Sequence, residues 1–325
     1  MRYIRWRAAS GVLLAAALLC AACGGSSEYP ARPLTMIVPW GAGGGTDAVA
    51  RIVASLMETE LGAPVNVVNR TGGSGVVGHQ TIAGAAPDGY TIGIITSEIA
   101  MMHHQGLTDL TGASFTPLGL INFDATAIQV RADSPYTRLG ELMDAIRQNP
   151  GRFKASGTAQ GGIWHVSLYG LLHEQGIPPS SVLWVPSVSS AAGLLDLVAG
   201  AVDLVPASHP EARSLIDAGK VRSLAILDDE PSALYPDVPL GMREIDTKWS
   251  MGVWRGIGAP KDLPEDVRTR LEAAVANAYG SDAYREFMRA RGFGMRWEDP
   301  EGFARFMAAA DEEMGTVMRA VGLAR

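Results

Sequence analysis

The sequence predicts an α/β protein of two lobes with a ligand cleft between them. Strand–turn–helix units rich in Gly, Ser and Thr recur along the chain. Its 325 residues are long for one hydrophobic core. Glycine is abundant, at 38 residues, as expected where many turns approach a ligand or another backbone closely. A composition 47% hydrophobic and 19% charged belongs to a folded protein and not a disordered one.

Residues 1–28 read as a signal and leader. Arg2, Arg5 and Arg7 form a basic start, and the apolar run Val12 to Leu19 is too short to span a bilayer. Ala21-Ala22-Cys23, followed by Gly24-Gly25-Ser26-Ser27, resembles a bacterial lipoprotein box in which Cys23 becomes the acylated first residue. Cys20 stands where that box usually has Leu, so an ordinary signal cleaved nearby is the alternative. Either way the mature protein works outside the cytoplasm, tethered in the first case to a membrane through its N-terminal lipid.

The stretch Leu34 to Arg51 (LTMIVPWGAGGGTDAVAR) organises the first lobe. Met36-Ile37-Val38 is a short buried strand, stopped by Pro39, Gly41, Gly43, Gly44 and Gly45. Thr46 or Asp47 is a natural helix N-cap, and Val49, Ile52, Val53, Leu56 and Met57 follow at helical spacing. Bare N–H groups and a positive helix end then surround one small space, an anion site with no Lys or Arg in the turn and Trp40 as an apolar wall. A mere tight connection is the plainer reading, and Arg70, after the second strand, is the rival cation. The dinucleotide fingerprint G-x-G-x-x-G is nearly met, but Thr46 replaces its last glycine and Asn69-Arg70 offers no acid for a ribose.

Pro64 to Asn69 reads as the second strand, Val76 to Ala86 as a helix, and Tyr90 to Thr96 as a third strand. If the strands are parallel, Thr96 and Ser97 end at the same edge as the opening turn. Leu118 to Val130 crosses into a second lobe, and Thr137 to Asn149 is helical. The opening design then recurs: strand Phe153 to Ser156, turn Gly157 to Gly162, helix Ile163 to Gln175. It recurs again as strand Val182 to Pro186, turn Ser187-Val188-Ser189-Ser190 and a helix to Ala199. Val202 to Val205, ending near Ser208, and Val221 to Leu227 are further strands. Trp249 to Ile257 returns to the first lobe, followed by helices from Pro264, Ser281 and Pro300. The expected lobes are therefore 29–125 with 249–325, and 126–248.

Other functions find little support. Net charge is −7 with no basic block, which argues against nucleic acid. The two cysteines both lie near the N-terminus, so no disulfide framework or thiolate metal site is expected. None of the six histidines forms H-E-x-x-H, and adjacent His103-His104 suits a loop or surface better than a metal. No metal or cofactor is expected. Gly72-Gly73-Ser74-Gly75-Val76 is not a nucleophile elbow and no phosphate-binding loop with Gly-Lys-Ser/Thr exists, so no enzyme is expected. No heptad run is present, and a monomer is expected.

Several motifs occur together and in order: Tyr29-Pro30-x-Arg32-Pro33, Ile37-Val38-Pro39, Gly43-Gly44-Gly45-Thr46-Asp47, Ala50-Arg51, Val68-Asn69-Arg70, Gly72-Gly73 and Pro87-Asp88-Gly89-Tyr90-Thr91. As a set they resemble the substrate-binding proteins of the tripartite tricarboxylate transporter family, the Bug receptors, over essentially the whole mature chain. The resemblance implies a periplasmic-binding-protein-like type II fold, with the second-lobe turns facing the opening turn. It implies a periplasmic receptor that delivers a small organic carboxylate to a separate membrane permease, with ligands across the family ranging from dicarboxylates to aromatic acids and amides. Sensing for a membrane signalling partner stays open beside transport.

On that resemblance the ligand meets Trp40, Gly41, Gly43, Gly44, Thr46, Thr96, Ser97, Ser156, Gly157, Thr158, His165, Ser187, Ser189 and Ser208. His165, beside Trp164, could equally be packed in its helix face. Asp203 follows the family's Gly-x-Val-Asp pattern, and both it and Asp47 fit structural support better than contact with an anion.

Overall fold

The computed structural model describes residues 29–325. The signal segment and Cys23 lie outside the described residues. In chain order the elements are β1 (Leu34–Val38), α1 (Gly45–Leu61), β2 (Val65–Asn69), α2 (Val76–Ala83), β3 (Thr91–Thr96), β4 (Phe115–Ala125), β5 (Ala127–Arg131), α3 (Leu139–Gln148) and β6 (Phe153–Ala155). There follow α4 (Ile163–Glu174), β7 (Val182–Trp184), α5 (Ser190–Val198), β8 (Leu204–Ala207), α6 (His209–Asp217), β9 (Val221–Ile226), α7 (Gly241–Glu244), β10 (Gly252–Pro260), α8 (Glu265–Gly280), α9 (Asp282–Arg291) and α10 (Pro300–Ala320). No described helix is long and apolar enough to cross a membrane.

Two five-stranded sheets form the two lobes, ordered β2-β1-β3-β10-β4 and β7-β6-β8-β5-β9. Both are mixed. β1 runs parallel to β2 and β3, whereas β10 is antiparallel to β3 and β4. β6 is parallel to β7 and β8, and β5 is antiparallel to β8 and β9. The strand–turn–helix units lie on the parallel parts, so their turns still gather at strand C-terminal ends.

The apolar spacing read from the sequence does what it implies in α1. Val49, Ala50, Val53, Ala54, Met57 and Leu61 are buried against the first sheet and α8, each large side chain contributing about 1.5–3 kcal/mol. Gly62, left-handed at φ 69°, ends the helix and donates its N–H to the Glu58 carbonyl. α6 has no counterpart in the sequence reading. Only His209 and Ala212 of its nine residues are buried, so it lacks an apolar stripe, although Pro210 in its first turn is a start signal. β8 also begins two residues beyond the expected strand, at Leu204.

The lobes join where β4 passes into β5 through Thr126 alone, and where β9 leads towards β10. These crossings are laced together. Thr126 donates both its N–H and its hydroxyl to the Met251 carbonyl, at 2.9 and 2.7 Å, and Leu227 N–H donates to the Thr126 carbonyl at 2.7 Å.

Candidate functional site

Between the lobes lies a cavity of about 30 Å³, room for a water or two. The first lobe lines it with Trp40, Gly41, Gly44, Gly45, Thr46, Glu98, Val253 and Arg255. The second contributes Thr158, Ile163, Trp164, Ser189, Ser190 and Glu211. Three helix starts therefore meet on one space: Gly45 and Thr46 of α1, Ile163 of α4, and Ser190 of α5 with its N-cap Ser189. A wider cleft of about 480 Å³ opens beside it, between Gly43, Gly44 and Gly45 on one wall and Ser190 and Glu211 on the other.

The cap of α1 differs from the expectation. Its N-cap is Gly44, which offers no side chain, and Thr46 and Asp47 sit inside the first turn. Asp47 instead reaches back to accept the Gly43 N–H at 3.0 Å, and it also accepts from Arg51 and Asn69. Burial alone would raise its pKa, but Arg51, the Gly43 N–H and Asn69 bring it below the ordinary value. Asp47 thus supports the turn, and the N–H groups that the helix ladder leaves over remain at Gly44, Gly45 and Thr46.

The cation of the site is Arg255, fully buried on β10 and absent from the sequence reading. Its Nε donates to Thr46 Oγ1 at 3.0 Å, Nη1 to Asp124 at 2.6 Å and to Asn122, and Nη2 to Glu211 of the second lobe at 3.4 Å. Arg70, the expected rival, is exposed, one residue past the end of β2. The only sequence signal for Arg255 is that it is the lone charge in the buried run Gly252–Pro260. Glu98 is a similar case, a lone acid in an apolar stretch. Its Oε2 accepts the Thr96 hydroxyl at 2.6 Å and faces that of Ser97 at 3.4 Å. Burial raises the pKa of Glu98, Asp124 and Glu211, with Arg255 pulling each back in part.

Of the other residues expected at the ligand, Trp40, Gly41, Gly44, Thr46, Thr158 and Ser189 line the cavity, and Gly43 lines the adjoining cleft. Thr96 and Ser97 stand behind Glu98. Ser156 donates to the Val185 carbonyl, and Ser187 donates to that of Ser189. Gly157 packs closely between Trp164 and Trp184. Ser208 is buried with no partner for its hydroxyl among the described residues.

His165 accepts the Gly161 N–H on Nδ1 at 2.9 Å and stacks on Trp184 at 4.5 Å, which fixes the turn before α4. Burial depresses its pKa to about 3, so it is neutral. Asp203 is exposed and accepts the Lys154 N–H. His103 and His104, expected on a loop or surface, lie on a turn where their ring nitrogens come within 4.8 Å of an Asp311 oxygen.

Gly45 is where the guanidinium comes closest to the turn. A Cβ there would lie 2.9 Å from Arg255 Nη2 and 3.2 Å from Glu211 Oε1, whereas one at Gly44 would meet only the Gly41 carbonyl, at 3.5 Å. Gly45→Ala should accordingly cost about 1–3 kcal/mol of stability and Gly44→Ala under about 1 kcal/mol. Equal midpoints for the two variants in urea unfolding would refute this assignment of the close contact.

The family description "Tripartite tricarboxylate transporter family receptor" matches this chain over residues 49–323. The chain belongs to that family. Its receptor relatives include protein BugT of Bordetella pertussis, 29% identical with 99% of each chain covered. A Rhodopseudomonas palustris protein solved with adipate superposes at a TM-score of 0.84, with 27% identity over 91% of this receptor and 99% of that chain. MatC from Rhodopseudomonas palustris, solved with bound malate, gives a TM-score of 0.81 at 25% identity over 89% and 99%. The family is one of receptors, and the two-lobed α/β architecture of this receptor is that of its solved relatives.

Proposed function

We infer that this receptor works outside the cytoplasm, closes its lobes around a small organic carboxylate and hands it to a separate membrane permease. The observation that supports this most is the meeting of three helix starts, from both lobes, on one cavity. Their leftover N–H groups and positive ends favour an anion that touches both lobes at once. Relatives solved with malate and adipate support a carboxylate. We take the lobes as 29–125 with 249–325, and 126–248. The direct contacts are Trp40, Gly41, Gly44, Thr46, Thr158 and Ser189, with Gly43 at the cleft mouth. Thr96, Ser97, Ser156, Gly157, His165, Ser187 and Ser208 form the layer behind, and Asp47 and Asp203 are structural.

A ligand that binds the closed form better shifts the population towards it. Added malate or adipate, whichever binds, should reduce the radius of gyration in small-angle scattering and be recovered unchanged. Steady conversion of the ligand by pure protein would overturn the receptor reading.

The receptor is a monomer held at the membrane by lipid on Cys23. Cys23→Ser should move it from the membrane to the soluble fraction of the expressing host, since several acyl chains anchor stably where one does not. An intact mass without lipid on the wild-type protein would count against this anchor.

A further inference from the structure

Among the described residues, the charged side chains that line the cavity are Arg255, Glu98 and Glu211. Arg255 is already engaged. Its donors go to Asp124, Asn122, Thr46 and Glu211, and Asp124 alone balances its charge. The cavity is thus left with two carboxyl groups and no free cation. Two acceptors facing it are also unsatisfied. Among the described residues Glu211 Oε2 and Thr158 Oγ1 have no hydrogen-bond partner, although the Glu211 side chain is only 8% exposed and Thr158 only 7%. Buried acceptors without donors are costly, and a ligand that supplies N–H groups relieves that cost.

We propose that the ligand carries a protonated amino group beside its carboxylate, with Glu211, Thr158 and Glu98 holding the ammonium and the helix start at Gly44 to Thr46 holding the carboxylate. The proposal rests on the carboxylate-receptor reading and narrows it. An ammonium has three donors and no acceptor, matching the Glu211 and Thr158 acceptors of the second lobe and the Glu98 carboxylate across the cavity. A second ligand carboxylate in the same place would face two acid side chains in a water-poor space, where like charges repel strongly. The upward pKa shifts of Glu98 and Glu211 agree, since burial is their first cause and Arg255 pulls each back only in part.

Calorimetry on the full chain, dialysed free of small molecules, tests this with matched pairs that differ by the amino group. The pairs are succinate with aspartate, glutarate with glutamate, and hexanoate with 6-aminohexanoate. The amino member should bind at least tenfold tighter in one pair or more, and Glu211→Gln, folded by circular dichroism, should erase that advantage. If Glu211→Gln does not fold, Glu98→Gln and Thr158→Ala carry the same expectation. Plain carboxylates that bind as tightly as their amino partners overturn the ammonium and leave the carboxylate receptor standing. That would be the outcome if the two glutamates were protonated donors to a second carboxylate. An advantage that survives all the variants overturns the assignment of these side chains. No binding by any amino member, where malate or adipate binds, overturns the ammonium and leaves the carboxylate receptor standing.

Discussion

Arg255→Met should destabilise the protein by about 3–5 kcal/mol, the range expected when one partner of a buried ion pair is removed. For a chain of this size that corresponds to a melting temperature lower by roughly 5–8 °C. The loss arises because Asp124 and Glu211 stay buried without their cation, while Asn122 and Thr46 lose their donors. Asp124 also accepts the Gly294 N–H at 2.7 Å, so the disturbance reaches the segment after α9. The stranded carboxyls should bind protons, and the deficit should therefore shrink from pH 8 to pH 5. Arg255→Lys should recover only part of it, since an ammonium cannot serve acceptors spread around a planar fork. Urea unfolding at both pH values measures this, and a Met variant within about 1 kcal/mol of wild type would refute the central role of the guanidinium.

Acid should unfold the protein cooperatively between about pH 5 and pH 4. Three histidines drive this. His79, His165 and His209 are buried and neutral, with pKa values pushed by burial to about 4, 3 and 4. His79 is useful in that state, since Nδ1 pairs with the Gly75 carbonyl while Nε2 accepts the Thr96 N–H. Below the ordinary histidine value of about 6.5 the unfolded chain binds protons that the folded one refuses, so stability falls as pH falls. By pH 4 each histidine removes on the order of 2–3 kcal/mol, against a typical total of 5–15 kcal/mol.

The buried acids Glu98, Asp124 and Glu211 act in the opposite sense. Their pKa values are raised, so the fold holds their protons more tightly and loses stability as pH rises through those values. They soften the acid limb without reversing it, because Arg255 offsets part of each shift. His165→Asn, which can still accept the Gly161 N–H, should flatten the acid limb by about one proton. An unchanged slope in single variants of all three histidines would exclude them as the cause.

The opening unit was legible because its signals agree. An apolar strand, a run of glycines and a helix-period stripe all point to the same place, and Thr158 and Ser189 meet Thr46 because the turns of both sheets gather at strand C-terminal ends that face one cavity. The family motifs extended that agreement across the chain. What escaped was polar and long-range. α6 buries too little to show a stripe, yet it carries Glu211 to the cavity. Arg255 is 209 residues from Thr46 and 131 from Asp124, so no local pattern could pair them. The cap of α1 was misassigned because Thr46 and Asp47 have the right chemistry, but Gly44 stands at the extended position and Asp47 folds back on the turn. A single charge inside an otherwise apolar strand, as at Arg255, is the one sequence signal of such a buried ion pair.

The place of β10 in its sheet also bears on how the chain comes to be folded. It lies between β3 and β4, pairing Arg255 with Thr96 and with Asn122, although more than a hundred residues of the other lobe intervene. The second sheet draws all its strands from one unbroken stretch and can assemble as that stretch becomes available. The first cannot close its middle until β10 arrives, and until then β3 and β4 present bare edges. Closing so long a loop is slow, since its entropy must be lost before any contact compensates for it. A nascent chain therefore spends longer with one half structured and the other pliant, which leaves those edges as the sites where premature aggregation would begin.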